Sequence, residues 1–181
     1  MTKFKPFKNL LIGGPSTGKS SVLNTLMERG YPCFPEISRE VTLEARRLGI
    51  EHLFLEDPLK FSEMLLKGRI QQFEEAELLS DHHVFIDRGI PDVTAYMDHF
   101  KQTYPDTFAE ANTSFEYDKV FLFPIWTDIY TTDNERFEDL ELGKRLQDAL
   151  VKTYTNLGYD LIEVPKTQLQ KRVDFILNEI D

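Results

Sequence analysis

One segment near the start of the chain restricts its fold more than any other, and it reads Gly13-Gly14-Pro15-Ser16-Thr17-Gly18-Lys19-Ser20. This G-x-x-x-x-G-K-S pattern is the Walker A, or P-loop, signature of phosphate binding. The apolar run Asn9–Ile12 precedes it and predicts a buried strand. Apolar residues between positions 20 and 30 recur at helical spacing, and Gly30 is a suitable end for that helix. Strand, glycine loop and helix together form the context that the motif requires.

The residue types of this loop explain how it would hold a polyphosphate. Glycines let successive backbone N–H groups approach phosphate oxygens without a Cβ in the way. The helix that opens at Gly18 adds its positive dipole end. We predict that Lys19 reaches the β- and γ-phosphates and that Ser20 offers its hydroxyl to Mg²⁺. The predicted nucleotide site comprises Gly13, Gly14, Pro15, Ser16, Thr17, Gly18, Lys19, Ser20 and Ser21.

The composition excludes several classes of protein. The chain has 181 residues, enough for one domain, and its apolar fraction of 41% contains no run of the ~20 residues that span a membrane. The net charge of −10 argues against non-specific binding to nucleic acid, which needs Lys and Arg against the phosphates. Cys33 is the only cysteine, so an internal disulfide is excluded. We find no signal-peptide pattern and expect a cytoplasmic protein.

Strand and helix patterns alternate along the chain. Further apolar runs at 31–35, 84–87, 119–123 and 159–164 predict strands, and helical spacing fills most of the segments between them. The alternation predicts an α/β fold with a five-stranded parallel sheet and helices on both faces, in a single domain over 1–181. Ligands of such sheets bind beyond the carboxyl ends of the strands. We therefore expect residues that follow different strands to meet in one crevice.

Asp87 and Arg88 end the third predicted strand. A carboxylate at this position can hold Mg²⁺ opposite Ser20, which makes Asp87 and Ser20 the predicted metal ligands. The adjacent Arg88 can face phosphate oxygens and is predicted to serve in substrate binding and catalysis. An ordinary salt bridge at a strand end is the alternative, but the P-loop upstream favours the functional interpretation.

Glu36 follows the second predicted strand. A carboxylate there can accept a proton from an attacking hydroxyl, so we predict a catalytic and substrate-binding role for it. Arg39 lies one helical turn further on and can steady a substrate or pair with Glu36. Two alternatives stay open: Glu36 can be a helix-start acid favoured by the dipole, and Glu40 can be the base instead.

Arg136 stands out in the polar, mostly acidic segment 125–139. We interpret this segment as a flap over the site. An arginine on a flap can close over a transferring phosphoryl group and offset its charge, which gives Arg136 a predicted catalytic role. A surface ion pair with Asp133 or Asp139 is the alternative. Trp126 can stack on a base or simply pack the loop.

The order of Gly13–Ser20, Glu36 to Arg39, Asp87-Arg88 and Asp133-x-x-Arg136 is that seen in P-loop proteins of the nucleoside- and nucleotide-kinase kind. Over nearly its full length the chain resembles the compact AAA domain family of predicted ATPases. That family is similar to the ribosylnicotinamide kinase domain of the bifunctional NAD-biosynthesis regulator. The resemblance implies the three-layer P-loop NTPase fold, Mg-ATP as phosphoryl donor, and a small acceptor for which nucleosides are candidates.

The leading hypothesis is therefore a Mg²⁺-dependent kinase that phosphorylates a small molecule with ATP. The alternative is an ATPase or GTPase switch, or an adaptor, that acts on a protein partner. The sequence has no N-K-x-D guanine motif, so ATP is favoured over GTP. An oligomeric AAA+ motor is disfavoured because Asp87 is followed by arginine rather than glutamate, and because the chain leaves no room for the helical lid domain of such motors.

Overall fold

The apolar runs of the sequence form a parallel five-stranded sheet, in which the strands, counted along the chain, stand in the order second, third, first, fourth, fifth. The computed structural model describes residues 5–129 and 140–180. Its elements in chain order are β1 (Phe7–Ile12), α1 (Lys19–Glu28), β2 (Cys33–Phe34), α2 (Ser38–Arg47), α3 (Leu53–Glu56), α4 (Pro58–Glu77), β3 (His83–Asp87), α5 (Ile90–His99), α6 (Asp106–Ser114), β4 (Lys119–Leu122), α7 (Leu140–Asn156), β5 (Leu161–Glu163) and α8 (Leu169–Ile180). The predicted α/β fold with a parallel sheet is confirmed.

The central strand β1 is buried on both faces. Leu10 and Ile12 pack into a core with residues of α4, α5 and α7, whereas Leu11 between them packs into a second core with α1 and α8. This alternation follows from the period of two residues along a strand. All three side chains are fully buried, and each contributes about 1.5–3 kcal/mol by leaving water. The helices therefore cover both faces of the sheet, as predicted.

The register of the strands brings their carboxyl ends to one edge. Leu11 of β1 pairs with Asp87 of β3, and Ile12 pairs with Leu122 of β4. The P-loop leaves β1 at this level. Because parallel strands end on the same side, the residues that follow β1, β2 and β3 open onto one crevice.

Several boundaries differ from those predicted. The second strand was expected over residues 31–35 but is limited to Cys33–Phe34, because prolines at 32 and 35 have no N–H to give to the ladder. The fifth strand was expected over residues 159–164 and is limited to Leu161–Glu163. The short helix α3 was not predicted. None of the helices within the described ranges has the length and apolar character needed to cross a bilayer.

Candidate functional site

Two positions of the P-loop require glycine. Gly13 has φ 144°, and a Cβ there would lie 2.4 Å from the carbonyl oxygen of Phe123. Gly18 has φ 84°, in the left-handed region that L side chains rarely adopt. The loop therefore turns sharply between β1 and α1, with its backbone pressed against the end of β4. Any other residue at Gly13 would displace this backbone.

The Lys19 ammonium group lies inside the loop, and its side chain is buried. Its Nζ donates hydrogen bonds to the carbonyl oxygens of Gly13 at 2.9 Å and Gly14 at 2.8 Å, and to the hydroxyl of Thr17 at 3.2 Å. Burial lowers the pKa of Lys19 to about 8, and the nearby Arg88 cation acts in the same direction. The loop thus holds a desolvated cation at the position where the sequence predicts phosphates to bind.

Asp87 ends β3 beside this cation and is only 3% exposed. Its Oδ1 is buried without a hydrogen-bond partner in the part of the chain that the structure describes. Burial raises the pKa of Asp87, while Lys19 and Arg88 partly oppose that shift. A desolvated carboxylate oxygen with no donor is suited to a cation.

Ser20 begins the first turn of α1 and is exposed. Magnesium usually takes one or two protein oxygens and completes its shell with phosphate oxygens and water. The donor set of Asp87 and Ser20 fits that chemistry. The described residues contain no cluster of three or more His, Cys, Asp or Glu side chains placed to hold a metal, so a site built from protein ligands alone is not found there.

Glu36 lies just beyond β2, between two arginines. Its Oε1 is 3.3 Å from Nη2 of Arg69, its Oε2 contacts Nε of Arg88, and the backbone N–H of Ser38 donates to Oε1 at 3.0 Å. Burial raises the pKa of Glu36, but the two guanidinium groups outweigh this effect and hold the pKa below its usual value. The carboxylate is therefore ionised and fixed in orientation at neutral pH.

Arg88 is turned towards Glu36 by an unusual backbone. Its φ of 70° is rare for a residue with a side chain and costs of order 1–3 kcal/mol. Its Nη1 donates to the hydroxyl of Tyr96 at 2.9 Å and lies 3.8 Å from Oδ2 of Asp92. The structure thus places this arginine with the predicted base. Its proposed contact with phosphate oxygens stays a prediction.

Arg69 was not identified from the sequence. It lies on α4, is 5% exposed, and joins Glu36 to the carbonyl oxygen of Gly89, to which Nη1 donates at 3.0 Å. A signal was present: Arg69 falls four residues from both Leu65 and Phe73, within the apolar face of its helix. Arg39, which was considered as a partner for Glu36, is exposed on α2.

Side chains of α5 and α7 hold the segment after Arg88 in place through hydrogen bonds. Oδ1 of Asp92 accepts hydrogen bonds from the backbone N–H of Gly89 at 3.1 Å and from the hydroxyl of Tyr154 at 2.6 Å. Tyr154 is fully buried. These bonds hold the turn that carries Arg88, so the position of Glu36 depends on α4, α5 and α7 together.

The predicted flap is described only in part. Ile125 is bound to α7, because its backbone N–H donates to Oε1 of Gln147 at 2.7 Å. Trp126 is half-buried, with its ring 6.0 Å from the guanidinium carbon of Arg172. Arg136 lies outside the described residues, so its predicted catalytic role stays a prediction.

A family model described as an AAA domain matches residues 8–172, which is most of the chain. A search of curated proteins gives no match. Among solved structures, deoxyadenosine kinase from M. mycoides with dCMP and a flexible dCDP has a TM-score of 0.72 at 17% identity, over 96% of this chain and 98% of that one. Thymidylate kinase from Candida albicans has a TM-score of 0.71 at 12% identity, over 97% and 91%.

The NadR protein in complex with NR also has this fold. The TM-score is 0.72 at 15% identity, and the match covers 96% of this chain but only 49% of NadR. At such identities a likeness shows the fold alone. The expected resemblance to P-loop kinases of nucleosides and nucleotides is confirmed at that level.

Proposed function

This chain belongs to the AAA domain family, and we propose that it is a kinase that transfers the γ-phosphoryl group of Mg-ATP to a hydroxyl group of a small acceptor. The observation that carries the proposal is the Glu36 carboxylate, held by two arginines at the same crevice as Lys19 and Asp87. Nucleotide binding needs only the phosphate loop, whereas a fixed carboxylate beside that loop is suited to orient an attacking hydroxyl group.

The donor side of the crevice consists of the P-loop and the end of β3. The loop N–H groups and Lys19 bind the β- and γ-phosphates, and Asp87 with Ser20 holds Mg²⁺. A bound Mg²⁺ neutralises negative charge on these phosphates. Lys19 is already desolvated, so its attraction for phosphate is little reduced by competition with water.

On the acceptor side, Glu36 receives a hydrogen bond from the attacking hydroxyl and orients its oxygen towards the γ-phosphorus. A bond forms between that oxygen and phosphorus, the bond from phosphorus to the oxygen bridging to ADP breaks, and the hydroxyl proton leaves to Glu36. Phosphoryl transfer passes through a loose transition state in which positioning matters more than strong basicity. A fixed carboxylate with a lowered pKa is adequate for this task.

The acceptor that fits best is an uncharged nucleoside-like molecule rather than a nucleotide. A phosphorylated acceptor needs arginines directed at its phosphate. Arg69 and Arg88 already bond to Glu36, and their further hydrogen bonds go to Gly89 and Tyr96. Solved structures with this fold include deoxyadenosine kinase and NadR with NR but also thymidylate kinase, so the choice rests on these arginine contacts.

The test is ADP formation by the purified protein with Mg-ATP and a panel of ribo- and deoxyribonucleosides, nicotinamide riboside and the matching monophosphates. The proposal expects ADP only when an acceptor is present, with an equal amount of phosphorylated acceptor seen by mass spectrometry. ADP formed at the same rate without any acceptor would contradict it and favour an ATPase switch. Turnover of monophosphates alone would contradict the choice of a nucleoside acceptor.

A further inference from the structure

Arg172 reaches the P-loop from α8, near the opposite end of the chain. Its side chain is 4% exposed, and its Nη2 donates a 2.8 Å hydrogen bond to the carbonyl oxygen of Thr17. The guanidinium carbon lies 4.8 Å from the centre of the Phe123 ring. Arg172 therefore lies between the loop and the residue that follows β4.

The charge of this arginine is poorly compensated. Within residues 5–129 and 140–180, Arg172 forms no salt bridge with a carboxylate, and its Nε has no hydrogen-bond partner. Burial lowers its pKa. A buried cation without an anion is costly, and stacking on Phe123 with one carbonyl bond offsets only part of that cost. Arg69, which is buried, and Arg88, which is half-buried, both have a carboxylate partner.

The bond to Thr17 determines the orientation of one peptide plane. In a trans peptide the C=O and the following N–H point to opposite sides. Because the Thr17 carbonyl is directed at α8, the N–H of Gly18 is directed away from α8. Gly18 has φ 84°, and a Cβ on it would lie 2.5 Å from Nη1 of Arg172. The guanidinium group thus fills the space outside the loop at this residue.

We propose that Arg172 is a positioning residue of the nucleotide site, which holds the Thr17–Gly18 peptide with its N–H towards the phosphates and polarises that peptide with its positive charge. A cation at the carbonyl oxygen strengthens the N–H as a donor, since bonds in series polarise one another. The inference rests on the proposed nucleotide binding. Loss of the Arg172 side chain is expected to weaken binding of the polyphosphate and to leave binding of the acceptor unchanged.

The test compares Arg172→Met and Arg172→Lys with the wild type and with Lys171→Met, which removes an exposed charge from the same helix. Affinity for Mg-ATP is measured by calorimetry, and the Gly18 amide resonance is followed by NMR. From the free energy of a charge-assisted hydrogen bond, we expect Arg172→Met to weaken Mg-ATP binding roughly 10- to 100-fold. Arg172→Lys keeps the charge and is expected to recover part of that loss, while Lys171→Met binds as the wild type does.

The NMR measurement separates positioning from a merely structural role. In the wild type the Gly18 amide proton is expected to move downfield when Mg-ATP binds, and in Arg172→Met this movement is expected to shrink. A lower melting temperature with unchanged affinity and an unchanged Gly18 shift would overturn the inference and leave the proposed function standing. Should Arg172→Met fail to fold, Arg172→Gln, which also removes the charge, is measured in its place and is judged by the same outcomes. Failure of the wild type itself to bind Mg-ATP would overturn both.

Discussion

Replacing Glu36 by glutamine tests the proposed kinase most directly. The substitution keeps the size of the side chain, and the amide oxygen can still accept the hydrogen bond from Ser38. It removes the charge that faces Arg69 and Arg88. The buried Arg69 and the half-buried Arg88 then lose their shared anion, and the attacking hydroxyl loses its proton acceptor.

Two magnitudes follow from this geometry. Loss of a general base lowers the rate about 10²- to 10⁴-fold, so phosphorylation of the acceptor should fall within that range. Removing one member of a buried ion pair costs about 3–5 kcal/mol. Because the Glu36 side chain is 21% exposed, the lower end applies. A loss of about 3 kcal/mol corresponds to a fall in melting temperature of roughly 6–12 °C in a chain of this length.

The assay measures kcat and KM for the acceptor at a temperature well below the melting point of the variant, with Mg-ATP affinity measured alongside. ATP affinity should change by less than about threefold, since Glu36 forms no bond with the P-loop in the described structure. Glu40→Gln is the matched comparison, because Glu40 is an exposed acid in the first turn of α2, four residues after Glu36, and is the alternative base. If Glu36→Gln keeps full transfer activity, Glu36 is only a helix-start acid, and Glu40 or Asp87 becomes the candidate base.

Comparison of Glu36→Gln with the wild type also tests how stability depends on pH. The arginines hold the pKa of Glu36 below its unfolded value of about 4.3. The resulting stabilisation is fully present above that pH and is lost as the pH falls through the folded pKa. The difference in unfolding free energy between wild type and Glu36→Gln should therefore be constant from pH 5 to 7 and shrink below about pH 4.3. Urea unfolding of both proteins at each pH measures this difference in free energy. A difference that grows on acidification would refute the lowered pKa of Glu36.

Four other substitutions have specific expected results. Lys19→Ala should weaken Mg-ATP binding about 10- to 100-fold in calorimetry while the protein stays folded, and unchanged binding would contradict the P-loop interpretation. Ser20→Ala and Asp87→Asn should both weaken the Mg²⁺ dependence of ATP binding, with a coupling of about 0.5–3 kcal/mol in the double variant; additive losses would indicate independent roles. Gly13→Ala should lower the melting temperature by several degrees, because its Cβ meets the Phe123 carbonyl, and a neutral result would contradict that packing.

The parts of the site that depend on local chain geometry could be predicted from sequence. The P-loop is one continuous segment, and Asp87 ends an apolar run, so a parallel sheet suffices to bring them together. The partners of Glu36 could not be predicted in this way, because Arg69 is supplied by a helix whose rotation is fixed only by packing. Arg172 depends likewise on how α8 lies against the sheet. Both are arginines within apolar helical faces, a pattern that marks a buried charge without naming its partner.

The arginine pair also bears on what Glu36 can do. A carboxylate whose pKa is lowered is a weaker base, so strong proton abstraction is poorly served by Arg69 and Arg88. The same two arginines keep the carboxylate charged and fixed in position. The left-handed backbone of Arg88 is part of this arrangement, because it turns the Arg88 side chain towards Glu36. Orientation of a hydroxyl requires these properties, and in a loose transition state the proton leaves late. The geometry therefore favours a role for Glu36 in orienting the acceptor hydroxyl over a role in deprotonating it. Glu36→Asp shortens the side chain but keeps the charge, so it should lose activity nearly as severely as Glu36→Gln.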